Sequence, residues 1–216
     1  MPGKNMLELQ GKPLIVHTIE AVIESRLFET IVVSSDDADV LRVAGDYGDV
    51  QAWQRPAALA GDTATNVEVL LDVIETLGCR SGICGLFQPT SPFRRAEHIV
   101  DAYELLNDDT EAVISVSCYS PPIGLRLRLE GNTSGRLLVP PESLLLSGKT
   151  RIQEHDNYVH PNGAMYLSRI ESLIKYRAFF GGKLAGYLME TLDAVDIDTR
   201  ADYLLSLIHI SEPTRP

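Results

Sequence analysis

The chain has few cysteines and no long apolar run, and each shortage argues against a class of protein. Its three cysteines, Cys79, Cys84 and Cys118, are odd in number and lack the paired close spacing of a zinc site, so neither a disulfide framework nor a structural zinc is expected. No apolar run approaches the roughly 20 residues of a membrane helix, and the first residues do not resemble a signal peptide. These features predict a soluble, cytoplasmic protein.

Basic residues are also scarce relative to acidic ones. The chain has 19 Lys and Arg against 30 Asp and Glu, which gives a formal net charge of −11. DNA, RNA and anionic membranes draw on clustered Lys and Arg, so none of them is an expected partner. A nucleotide remains compatible with this charge, because a few local cations and a metal ion can neutralise a triphosphate.

What is present is an alternation of short β-branched runs with amphipathic segments. A length of 216 residues with 44% hydrophobic residues is enough for one domain with one core. We predict strands over 30–34, 82–87, 112–116 and 164–167, and helices over 13–25, 38–43, 66–77 and 96–106. This order predicts an α/β fold with a mostly parallel sheet and helices on both faces.

The alternation of predicted strands and helices is interrupted between residues 119 and 161. Both ends of the chain also depart from it. Residues 119–161 are rich in Pro, Gly, Ser and Arg and are too long for an ordinary loop, so we interpret them as an arm, a lid or a subunit contact. The ten residues before Gly11-Lys12-Pro13 are predicted to be loop, so a first strand is expected to be missing. Residues 205–216 resemble translated sequencing-adapter read-through, so we assign the domain to residues 1–204.

One acidic motif could hold a metal ion. Residues 194–198 alternate apolar and acidic side chains, which predicts a strand with Asp196 and Asp198 on the same side. Two carboxylates on one face can share Mg²⁺ that also bridges substrate phosphates. The alternative is a strand end whose acids are only solvated.

Two polar segments could hold a ligand, and each also has a purely structural interpretation. Residues 88–94 follow a predicted buried strand and offer an amide, two hydroxyls and the cation of Arg94, although two prolines would equally make a rigid turn. Residues 160–164 predict a turn before a strand, where Asn162 either stabilises that turn or binds a polyhydroxylated ligand.

The basic and capping residues near the start leave similar alternatives. Lys4, Asn5 and Lys12 suit phosphate oxygens, or are solvated loop residues. Arg55 and residues 62–66 precede a helix, where they would either bind an anion or cap that helix.

Eight motifs, taken in order, make the chain resemble the acylneuraminate cytidylyltransferases, and the resemblance runs from residue 2 to about 204. These motifs are Pro2-Gly3-Lys4-Asn5, Gly11-Lys12-Pro13-Leu14, Val33-Ser34-Ser35-Asp36, Arg55-Pro56, Leu59-Ala60-Gly61-Asp62-Thr63, Gln88-Pro89-Thr90-Ser91-Pro92, Asn162-Gly163-Ala164 and Asp196-Ile197-Asp198-Thr199.

The resemblance implies a nucleotidyl-transferase fold, a homodimer formed through the arm, and Mg²⁺-dependent transfer of CMP from CTP to a nonulosonic acid. It implies catalytic roles for Asp196, Asp198 and Lys4, with the two acids as metal ligands. Nucleotide contacts would come from Lys4, Asn5, Arg55 and Asn66. The sugar side would consist of Gln88, Thr90, Ser91, Asn162, Tyr166, Phe179, Phe180 and Arg151, the last from the arm of the partner.

The chain departs from this family's pattern before Pro2, where the family carries its first strand and a phosphate loop. We therefore expect the chain as it stands to be inactive. The alternative substrates are pseudaminic acid and octulosonate, and the alternative function is a homologue that binds a nucleotide or sugar without catalysis.

Overall fold

Strands and helices alternate along the chain, largely as the sequence predicts. The computed structural model describes residues 3–61, 63–119, 123–130, 136–141, 143–147 and 158–211. The elements up to residue 118 are β1 (Glu8–Leu9), β2 (Lys12–Pro13), α1 (Leu14–Ser25), β3 (Ile31–Ser35), α2 (Ala38–Gly45), β4 (Val50–Gln54), α3 (Asn66–Thr76), β5 (Ile83–Phe87), α4 (Ala96–Glu104) and β6 (Ala112–Cys118). Those that follow are β7 (Arg128–Glu130), β8 (Arg136–Leu138), β9 (Val159–Arg169), α5 (Ile170–Tyr176), β10 (Leu184–Leu188) and α6 (Arg200–Ser211).

The central sheet is mixed, so the prediction of a mostly parallel sheet is wrong in this respect. Its strand order is β10-β6-β9-β5, in which β10 runs parallel to β6 while β9 runs antiparallel to both β6 and β5. Parallel neighbours need a crossover, which is usually a helix. Within the described residues no α-helix lies between β6 and β9, so β9 returns antiparallel beside β6.

Strands β3 and β4 form a second, parallel pair. Helix α1 joins this pair to the central sheet, because its residues belong to two hydrophobic clusters. Ala21 and Val22 pack in the cluster that contains Val113 and Leu167 of the central sheet. The other cluster combines Ile15, Val16 and Ile19 of α1 with Val33, Val40, Ala44 and Val50. The α/β architecture therefore depends on one helix that covers both sheets.

Short polar side chains begin two of the helices, as the sequence indicates. Asp37 accepts hydrogen bonds from the backbone N–H groups of Asp39 and Val40 at the start of α2. Thr65 and Glu68 form a reciprocal capping box at the start of α3. Of the two interpretations of Thr65, cap or anion ligand, the structure supports the cap. Asp62 lies outside the described residues.

The arm contains the antiparallel hairpin of β7 and β8. Its leucines face solvent: Leu129 is 41% and Leu137 57% exposed. Dimerisation through this arm stays a prediction. At the other end, residues 205–211 extend α6, and their non-native origin also stays a prediction. No described helix is long and apolar enough to cross a membrane.

Truncation of β9 in the core should destabilise the fold strongly. Leu167 is fully buried in the largest cluster, and we expect Leu167→Ala to lower the free energy of unfolding by about 2–5 kcal/mol in urea titrations. The matched control is Leu188→Ala on β10, whose side chain is 58% exposed; we expect a change within about 0.5 kcal/mol. Equal losses in both variants would contradict this description of the core.

Candidate functional site

The two acids of the Asp196-Ile197-Asp198 motif do not lie on a strand, so that prediction is wrong. The segment is held instead at Ile197, whose side chain is fully buried with Leu9 and Leu14. The Ile197 N–H donates to the carbonyl of Thr90 at 2.8 Å. A strand needs a ladder of such backbone hydrogen bonds, whereas this segment is fixed by the burial of the Ile197 side chain. Asp196 is half-buried and Asp198 exposed on either side of this anchor.

Asp196 lies in an environment that is unusual for a carboxylate. Burial raises its pKa, a hydrogen bond from the Thr90 side chain lowers it, and the charge of Asp198 raises it again. Its Oδ1 is buried and has no hydrogen-bond partner in the described part of the chain. A buried carboxylate oxygen without a donor is costly, and a bound cation would remove that cost. The site therefore fits a hard divalent cation.

The described residues offer such a cation only part of its ligands. No group of three or more His, Cys, Asp and Glu side chains converges in the described ranges. Mg²⁺ is commonly held by one or two carboxylates, with water and substrate phosphates completing the coordination. Asp196 and Asp198 fit this mode of binding.

Lys4 lies beside the acidic pair. Its Nζ forms an ion pair with Asp198 Oδ1 at 2.6 Å, from a short 3-10 turn that follows Gly3 in the left-handed region. Exposed pairs of this kind contribute little to stability. The consequence of the contact is that it places the Lys4 ammonium beside the carboxylate of Asp198. Asp202 completes the group by accepting from the N–H groups of Asp198 and Thr199.

The loop that follows β5 lies between the acidic segment and β9. Thr90 and Ser91 are buried, and the Ser91 Oγ has no partner among the described residues. The side chain of Gln88 contacts β9 at Gly163, where an added Cβ would lie 3.3 Å from Gln88 Oε1. Gly163 has φ +83°, which only glycine adopts readily. The structure therefore brings Gln88 and Thr90 next to both β9 and Asp196.

Asn162 belongs to β9, so the prediction of a turn before that strand is wrong. The register of β9 against β6 shifts between Ile114 and Val116. This irregularity within the strand accounts for the turn-like composition of residues 160–164. Asn162 Oδ1 accepts from the Ser115 hydroxyl at 2.5 Å and from the Ala164 N–H at 3.1 Å. Its Nδ2 donates to Ser117 Oγ at 3.1 Å. Asn162 therefore braces the irregularity.

The three predicted aromatic residues have different environments. Tyr166 is half-buried, and its pKa is raised by burial and by the negative charge of Asp196. Its ring centroid lies 5.0 Å from that of Phe179, which is buried in a hydrophobic cluster. Phe180 is 57% exposed. Of the three, Tyr166 interacts electrostatically with Asp196 of the acidic pair.

The predicted nucleotide residues are not all together. Asn5 lies in the same 3-10 turn as Lys4, whereas Arg55 donates to the Ser34 carbonyl at 2.6 Å, beyond the end of β4. Arg55 lines an open cleft of about 730 Å³ with Asp36, Gln54, Pro56, Ala57, Ala60 and Gly61. Asn66 is exposed at the first position of α3. Within the described residues no hydrogen bond joins Arg55 or Asn66 to the acidic segment, and Arg151 lies outside those residues.

Sequence reasoning missed a second set of polar residues around the loop. Arg95 forms an ion pair with Asp193 at 2.6 Å, and His98 Nε2 lies 3.4 Å from the same carboxylate. Arg94, which the sequence offered as a cation for a ligand, is instead 2% exposed and bonded to protein groups. No local sequence pattern predicts these contacts, because Asp193 and the arginines are distant in sequence.

Comparisons with known proteins show the family to which the chain belongs. A family model described as cytidylyltransferase matches residues 1–177. The chain is 33% identical to the CMP-N,N'-diacetyllegionaminic acid synthase of Legionella pneumophila, over 95% of this chain and 88% of that protein. It is 30% identical to the N-acylneuraminate cytidylyltransferase of Escherichia coli O18:K1:H7, over 95% of this chain but only 48% of that protein. The chain thus spans about half the length of the second relative.

A solved structure extends the comparison to the fold. The CMP:2-keto-3-deoxy-manno-octonic acid synthetase complexed with CTP superposes with a TM-score of 0.68 at 18% identity, covering 98% of this chain and 92% of that one. At this identity the likeness concerns the α/β fold alone.

Removal of the Ser115 hydroxyl should destabilise the fold at the irregularity in β9. Ser115 is buried, bonds to Asn162 and accepts from the Met165 N–H at 2.9 Å, so Ser115→Ala leaves buried polar groups unpaired. We expect a loss of about 1–3 kcal/mol of unfolding free energy in urea. Ser25→Ala is the control, because that buried hydroxyl bonds only to Val22 of its own helix. A loss no larger than the control's would contradict this role.

Proposed function

The chain belongs to the cytidylyltransferase family, and we propose that it transfers CMP from CTP to the anomeric hydroxyl of a nonulosonic acid. The proposal includes Mg²⁺ as the metal and a cytoplasmic homodimer as the assembly. The observation that carries it is the Oδ1 of Asp196 beside Asp198 and Lys4, an oxygen that is buried and has no hydrogen-bond partner among the described residues. Relatives named as CMP-legionaminic acid synthase and N-acylneuraminate cytidylyltransferase support the substrate class.

In this reaction the anomeric hydroxyl loses its proton to solvent and its oxygen forms a bond to the α-phosphorus of CTP. The bond from that phosphorus to the bridging oxygen of the β-phosphate breaks, and pyrophosphate leaves with that oxygen. Mg²⁺, when bound, supplies positive charge for the phosphoryl oxygens. Asp196 and Asp198 hold it, and Lys4 contributes a second cation on the exposed side. Rate enhancement of this kind comes from positioning and electrostatic stabilisation, with no covalent enzyme intermediate.

We assign the nucleotide to the side of Lys4 and Asn5, with Arg55 contributing from the cleft beyond β4 and Asn66 from the start of α3. The cleft is open and carries one guanidinium, already oriented by the Ser34 carbonyl. A guanidinium held in this way suits phosphate or ribose oxygens.

We assign the sugar acid to the side of β9 and the loop after β5. Gln88 supplies an amide, and Tyr166 lies within reach of the negative charge of Asp196. Ser91 is fully buried, with an Oγ that has no hydrogen-bond partner among the described residues, so it would lie beneath this side. Thr90 and Asn162 are already committed to protein groups, so their role is to shape this side. Phe179 backs Tyr166, Phe180 offers an exposed apolar face, and Arg151 would come from the arm of a second subunit.

Pyrophosphate release is the direct test of the reaction. We expect CTP and Mg²⁺ to yield pyrophosphate with one of N-acetylneuraminic, legionaminic, pseudaminic or octulosonic acid, assayed on the 216-residue chain and on the chain preceded by a relative's first strand and phosphate loop. Release by the extended chain alone would support the expected inactivity of the shorter one. Release with no acid from either folded protein would favour a non-catalytic binding homologue.

Metal binding should depend on the acidic pair. At a concentration about 100-fold above its dissociation constant, Mg²⁺ should raise the free energy of unfolding by about 2.7 kcal/mol in the presence of CTP. We expect Asp196→Asn and Asp198→Asn each to abolish this gain, measured by urea unfolding with and without MgCl₂. Asp39→Asn on α2 is the control, since Asp39 is exposed and pairs only with Arg42. Retention of the gain in both site variants would refute the metal assignment.

A further inference from the structure

Among the described residues, Arg94 is a cation buried without a counter-ion. Its side chain is among the largest fully buried ones in the described structure, and no carboxylate lies within ion-pair distance of it there. Burial lowers its pKa to about 9, and its Nε has no hydrogen-bond partner in the same residues. An apolar side chain would fill the space at a smaller desolvation cost. The guanidinium must therefore serve a geometric purpose that an apolar side chain could not.

The contacts of Arg94 join three parts of the fold. One terminal nitrogen donates to the carbonyl of Ala164 on β9 and, at 3.4 Å, to the carbonyl of Gln88. The other donates to the Thr18 hydroxyl on α1 at 2.8 Å. The guanidinium also lies 5.2 Å from the centre of the Phe87 ring. A rigid planar fork can fix all of these directions at once, which a lysine ammonium cannot.

The carbonyls that Arg94 binds belong to the two segments that face each other across the sugar side. Gln88 carries its amide against Gly163, and Ala164 donates its N–H to Asn162. A shift of the loop relative to β9 would therefore move Gln88 away from Asn162 and Tyr166. Arg94 itself is too deeply buried to contact a ligand.

We propose that Arg94 is a positioning residue for the sugar acid, because it sets the spacing between the loop after β5 and β9. This inference rests on the proposed function. Misplacement of a binding group by about 1 Å costs on the order of 100-fold in a reaction that depends on geometry. The effect should fall on the acid and spare CTP, since Lys4, Asn5, Arg55 and Asn66 have no contact with Arg94 in the described structure.

The test is titration calorimetry of the 216-residue chain, with CTP and, separately, with each of the four acids in the presence of Mg²⁺. We expect Arg94→Lys, which keeps the charge but not the fork, to weaken binding of the acid about 10-fold or more and to change that of CTP by less than about twofold. The matched control is Arg169→Met, because Arg169 also donates to a backbone carbonyl, that of Asn107, from the far end of β9. It should alter neither affinity.

Two further measurements keep the outcome decisive. Hydrogen exchange should speed up at residues 88–91 and 162–164 in Arg94→Lys and not in the control. Should that variant not fold, Thr18→Ala removes one anchor of the guanidinium and should give a smaller, equally selective loss. An unsubstituted chain that binds no acid would refute the proposed function. A chain that binds an acid, with variants that weaken both ligands equally or neither, would refute the role of Arg94 alone.

Discussion

Strand β9 pairs with β5 along one edge and with β6 along the other, so both edges of its backbone are fixed. The irregularity opposite Ile114 and Val116 is accommodated by Gly163 at positive φ and by the Ser115 hydroxyl. This constraint determines where Asn162 and Tyr166 lie. It also provides the Ala164 carbonyl that receives the buried guanidinium of Arg94. The geometry of the side that we assign to the sugar acid therefore follows from one antiparallel strand.

The direction of that strand could not be predicted from its own residues. Local periodicity identified β3, β5, β6 and the helices that cover them, because the spacing of apolar residues within each element reflects which of its faces is buried. Parallel or antiparallel pairing depends on the connection and on the neighbouring strands, which are distant along the chain. Strands β4 and β10 were missed because their side chains are mostly exposed, and α5 because seven residues carry too little periodic signal.

The local structure of the acidic motif was predicted only in part, and its metal-binding role stays a prediction. Alternating apolar and acidic residues indicate an extended segment with one buried side chain, and Ile197 is indeed buried. The same pattern does not reveal whether a neighbouring backbone is available for a ladder, and here only the Thr90 carbonyl is. The partner loop lies far away in sequence, so only the folded chain brings it to Asp196.

Two adjacent arginines show how the loop after β5 couples both halves of the candidate site. Arg94 reaches inward to β9, whereas Arg95 reaches outward to Asp193, on the segment that leads to Asp196. The carbonyl of Thr90 holds that same segment at Ile197. Because one short loop is bonded to both the sugar side and the acidic side, a displacement of the loop would change their separation. In the proposed reaction, the packing of residues 88–95 would therefore set the distance between the two assigned substrate sides.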